Sequence, residues 1–94
     1  MDTETLATDM VTIGNIRVAV TRADDKLTAA KMQVHGAFTA LTHHNQNGMN
    51  TLSLTVEHLE FALQELEAIP WKQMMLDIRV LKGQLKKELK RGNK

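Results

Sequence analysis

The stretch LATDMVTIGNIRVAVTRADDKLTAAKMQVHGAFTALTHH, residues 6–44, decides the fold. Within it Leu6, Ile13, Val20, Leu27, Val34 and Leu41 stand seven residues apart, and Ile16, Ala23, Ala30 and Ala37 follow three residues behind four of them. A seven-residue repeat with apolar side chains at its first and fourth places is the pattern of α-helices that pack along a seam. With Leu6 at heptad position a, every a residue is a large aliphatic, and every d residue of this set after Ile16 is alanine. Small side chains at d let a second helix come close, so the spacing predicts a long helix with an alanine-lined seam.

Working outward from this stretch, Asp2 or Thr3 can cap the helix, and Glu4 and Asp9 suit its positive end. Asp24 and Asp25 offer a second capping place if the chain bends near Thr21 and Arg22, but the heptad phase passes through unbroken and favours one continuous helix. Asn47 and Gly48 supply the stop, since glycine enters the left-handed conformation at little cost, and Asn50 or Thr51 can cap the next helix. Apolar residues resume at Leu52, Val56, Leu59, Leu63 and Leu66, spaced four and three apart. Pro70 then removes a backbone donor and kinks or restarts the helix. Beyond it Met74, Ile78, Leu81 and Leu85 restore the spacing after the equivalent of four extra residues, a stutter that locally unwinds a supercoil.

The expected architecture is a single all-α domain over 1–94: a helix over about 3–44, a loop over 45–50, and helices over about 51–69 and 70–90. Two arms of similar length joined by a short loop make an antiparallel helical hairpin, its second arm kinked at Pro70. Val11 and Val18 at f, with Met10 and Phe38 at e, lie off the a/d seam and stand in water in an isolated hairpin. Pairing of hairpins into a helical bundle would cover them, so a homodimer or higher oligomer is expected.

Composition sets the outer limits. Hydrophobic residues are 43% of the 94 but aromatics only 3%, so the core must be aliphatic. With no cysteine, a disulfide, a thiolate metal site and a cysteine nucleophile are excluded. Apolar runs fall far short of the roughly 20 residues needed to span a bilayer, and the acidic start (Asp2, Glu4) is unlike a signal peptide. These features predict a cytoplasmic protein without membrane partners. The net charge of +1 is unevenly spread: residues 72–94 hold eight basic and two acidic side chains, and the remainder four basic and nine acidic. Folding back sets that basic tail beside Asp2, Glu4 and Asp9.

No motif identifies a reaction. The neighbours His43 and His44 point about 100° apart on a helix, no His-x-x-x-His or Glu-x-x-His pair exists, and Thr55 stands three before His58. Glu57, Glu60, Glu65 and Glu67 read as a solvated face, or as one answering Lys26 and Lys31 across the hairpin. There is no glycine-rich phosphate loop and no nucleophile turn. Catalytic residues, metal ligands and cofactors are therefore not expected. Two binding surfaces are. Trp71, directly after Pro70, with Val11, Val18 and Phe38, is the candidate contact set for another protein, tryptophan being enriched among residues that dominate binding energy. Arg79, Lys82, Lys86 and Lys90, widened by Lys87 and Arg91, form a positive stripe of helical spacing that could follow a nucleic-acid phosphate backbone.

Overall fold

The computed structural model describes residues 2–92; Lys94, counted above in the basic tail, lies outside them. Helix α1 is Thr3–Thr42, a short 3-10 turn covers Gln46–Gly48, α2 is Leu52–Glu67 and α3 is Trp71–Gly92, with no strand among the described residues. The protein is an all-α helical hairpin in which α1 forms one arm and α2 with α3 the other. Helix α1 runs through Asp24 and Asp25 without interruption, as the unbroken heptad phase requires.

Its start is set by Asp2, whose Oδ1 accepts the Thr5 backbone N–H at 2.7 Å while its carbonyl accepts that of Leu6. That bond is the main reason the Asp2 carboxyl titrates below its ordinary 3.8. A carboxyl depressed in the folded state contributes stability that is complete above the unfolded value and lost as pH falls through the folded one. Acidification below about pH 4 is therefore expected to fray the first turn, seen as a shift of the Thr5 amide proton that Asp2→Asn abolishes. The many threonines of α1 are accommodated by back-bonding: Thr12, Thr21, Thr39 and Thr42 each donate their hydroxyl to the carbonyl four residues earlier.

The helix stops earlier than the sequence suggests, and at a different residue. Asn45, with φ of 68°, takes the left-handed conformation first, and Gly48, at 74°, takes it again at the end of the 3-10 turn. Asparagine tolerates this region because its short amide bonds locally. The Asn45 N–H donates to the Met49 carbonyl at 2.8 Å and closes the loop. Thr51 occupies the capping position of α2 but its side chain caps nothing there. Its buried hydroxyl donates instead to the Ala40 carbonyl of α1, tying the two arms together at the loop. Asn50 Oδ1 accepts the Leu52 N–H at 3.2 Å in its place.

The helices form two compact units, one joining α1 up to Arg22 with α3 from Pro70, the other comprising Ala23–Ile69. In the second unit the contact is made by Ala23, Ala30, Ala37 and Ala40 of α1 and by Thr51, Thr55, Ala62 and Ile69 of the returning chain, all buried. In the first unit Ile16 and the buried Leu81 line shared grooves, and residues late in α3 (Lys87, Arg91) lie by residues early in α1 (Glu4, Asp9), so the pair is antiparallel.

The alanine row is thus the seam, but its companion is not the a row. Covered positions of α1 alternate between d and g, with Thr5, Thr12, Ala19, Lys26, Gln33 and Ala40 at g. The large a residues stand at the flank, Leu6, Ile13, Val20, Leu27, Val34 and Leu41 being 38–54% exposed. Within Ala23–Ile69 the physical reason is closeness: alanine against threonine or alanine leaves room for side chains of leucine size only beside the line of contact. The second arm repeats the displacement. Its covered line in α2 runs through Thr51, Thr55, His58, Ala62 and Glu65, whereas Leu52, Val56, Leu59 and Leu63 are about half exposed.

Candidate interaction surface

Each helix therefore carries two rows of alternating four and three spacing. The inner row faces the neighbouring helix; it is small or polar on α2 and on α1 beyond Ile16, and on α3 it runs through Met74, Asp77, Leu81 and Glu88. The outer row is large and apolar: Leu52, Val56, Leu59, Leu63 and Leu66 on α2, and Trp71, Met75, Ile78, Lys82, Leu85 and Leu89 on α3, with Lys82 the only charge in either. On α1 the outer row joins position a to position e, so Met10, Arg17, Asp24, Lys31 and Phe38 alternate with the aliphatics. The two rows of a helix are about 100° apart around its axis, because each outer residue follows an inner one by a single step. In an antiparallel pair that rotation carries both outer rows to the same side. Within Ala23–Ile69, Leu27, Val34 and Leu41 thus share a face with Leu52 and Leu59.

The residues singled out as contact candidates divide between these surfaces. Phe38, 69% exposed, belongs to the outer row of α1, and Trp71, about half exposed, opens that of α3. Val11 and Val18 are exposed as expected but lie further round α1. In the first unit, Ile16, Ile78, Leu81, Leu85 and Leu89 line an apolar groove of about 330 Å³, with Lys82 and Lys86 also on its lining.

The basic stripe is likewise split. Lys87 and Arg91 line a groove of the first unit with Glu4, Asp9 and Glu88, and Arg91 pairs with Glu88 at 3.3 Å. These two cations stand near the acidic start of α1. Arg79, Lys82, Lys86 and Lys90 are exposed on α3 and have no carboxylate partner among the described residues. In the acidic run of α2, Glu65 pairs with Lys26 across the hairpin at 3.3 Å, the cross-arm answer the sequence suggests. Both partners are substantially exposed, so the pair contributes at most about 1 kcal/mol.

The histidines serve the hairpin. His44 Nδ1 accepts the Thr51 N–H at 3.4 Å, and His58 Nδ1 donates to Gln33 Oε1 at 2.7 Å between α2 and α1. The His58 ring lies over Gly36, where an added Cβ would stand 2.8 Å from Cε1. Gly36, a weak point by helix propensity, is thus the residue that admits this ring. Gly36→Ala is expected to lose stability despite a propensity gain of about 1 kcal/mol. In a His58→Ala background the same change should raise stability by about that amount, so a double-mutant cycle followed by thermal unfolding should show opposite signs. No three His, Asp or Glu side chains of the described residues cluster as a metal ion requires, and no described helix is long and apolar enough to cross a membrane.

Compared with protein families, curated proteins and solved structures, the chain matches none of them.

Proposed function

We propose that this chain is a non-enzymatic protein-interaction module, an adaptor, chaperone or small inhibitor that works in the cytoplasm as a helical oligomer. The observation that carries the reading is the exposed outer row on every α-helix. Large aliphatic side chains in seam spacing and half open to water form a surface whose burial is favourable by roughly 25 cal/mol per Å². Trp71 and Phe38, both on these rows, are the aromatic anchors for a partner.

A second reading rests on a separate observation, the cations of α3 that have no acidic partner among the described residues. Arg79, Lys82, Lys86 and Lys90 would then follow a phosphate backbone, and the protein would be a helical nucleic-acid binder. One experiment weighs both: absolute mass by light scattering on a sizing column, at low and high salt, with and without a mixed nucleic-acid pool. The protein-interaction reading expects an oligomer whose mass ignores salt and nucleic acid. A nucleoprotein complex that dissolves at high salt would replace it with the second reading, and a monomer under all conditions would overturn the oligomer.

A further inference from the structure

We propose that a second copy of this chain covers the outer rows, forming a two-fold four-helix bundle in which α1 packs antiparallel on α1 of the partner subunit. The inference deepens the oligomeric reading above and rests on it.

Three observations select this occupant. The first is the angle. A helix in a three-helix bundle sees its two neighbours about 60° apart, and one in a square four-helix bundle about 90° apart. Rows separated by about 100° fit the square. A hairpin supplies two of its four helices, so the occupant must itself present two. The second is area. Within Ala23–Ile69 the exposed fractions of Leu27, Val34, Leu41, Leu52, Val56, Leu59 and Leu63 correspond to roughly 600 Å², the lower end of one partner's share of a specific protein interface. The third is charge. The e positions of α1 read Arg17, Asp24, Lys31, opposite signs seven residues apart. Against the uncharged outer row of α2, Asp24 and Lys31 would be buried unmatched. Against an antiparallel copy of α1, Asp24 meets Arg17 or Lys31 of the partner subunit in two symmetric pairs, one cation per chain staying unpaired, and the apolar row of α2 is left to meet its counterpart.

Charge reversal tests the pairing. Asp24→Lys makes the row positive throughout and is expected to halve the mass measured by light scattering at micromolar concentration, with helicity retained. The triple variant Arg17→Asp, Asp24→Lys, Lys31→Asp inverts every sign, restores complementarity and is expected to recover the dimer. A dimer that tolerates Asp24→Lys, or a triple variant that stays monomeric, overturns the α1-on-α1 arrangement.

Because the chain has no cysteine, single replacements give a second, independent reading. The two-fold axis falls near Val20 if Asp24 meets Arg17, and near Leu27 if it meets Lys31. Val20→Cys or Leu27→Cys is therefore expected to form a disulfide-linked dimer under mild oxidation. Failure of both in a protein that still has twice the mass of one chain would sink this arrangement while leaving the oligomeric reading intact. A wild-type monomer would sink both.

Discussion

Replacing Ala30 with leucine is expected to destabilise the hairpin by about 2 kcal/mol, a fall of roughly 10 °C in melting temperature for a chain of this size. Ala30 is 4% exposed and sits in the middle of the close contact between α1 and the returning chain. Three added carbons have no room there unless the helices separate, and separation also weakens the packing of Ala23 and Ala37 one heptad away. Ala7→Leu, the same change at an exposed position of α1, should leave the melting temperature nearly unchanged. Thermal unfolding followed by circular dichroism checks both, and equal effects would show that the alanine row is not the seam.

Leu59→Glu is expected to act on assembly while sparing the hairpin. Leu59 is about half exposed within one chain, so a carboxylate there keeps its water. Covered by a partner, the same carboxylate would be desolvated without a cation, at a cost of about 3 kcal/mol or more, which corresponds to at least a ~100-fold rise in the dissociation constant. Sedimentation over a dilution series measures this, with circular dichroism as the check that the helices survive. An unchanged dissociation constant would show that the outer row of α2 stays in water. Together the two variants separate the inner from the outer row: one unfolds, the other dissociates.

The all-α hairpin was legible in the sequence, because seven-residue spacing over six repeats fits only a helix and Asn47 with Gly48 marks the single clear loop. The buried alanines were legible too. Which row accompanies them was not, since a/d and d/g pairs have the same four-and-three spacing, and side-chain size points first to the large residues. The decision belongs to the distance between helices, which Ala30 and Ala62 set jointly from two separate stretches. Gly36 gives a similar lesson. Its purpose depends on His58, twenty-two positions away in sequence and placed opposite by a loop in which Asn45 joins the expected Gly48 in the left-handed conformation. For the interaction surface, Trp71 and Phe38 were visible as isolated aromatics. The row joining Trp71 to Ile78, Leu85 and Leu89 emerges once Leu81 fixes which side of α3 turns inward.

The small size of the buried residues has a thermodynamic consequence. Among the described residues no large side chain is fully buried, and the core of the hairpin is alanine, threonine and two larger aliphatics, Ile69 and Leu81. Such a core removes little apolar surface from water, while ordering the backbone costs about 1–2 kcal/mol per residue. Any second copy that binds only the folded hairpin adds its binding free energy to the folding equilibrium, so stability becomes a function of mass action. The melting temperature of this protein should then climb with its own concentration, and the level at which a cell maintains the chain would set how much of it is folded.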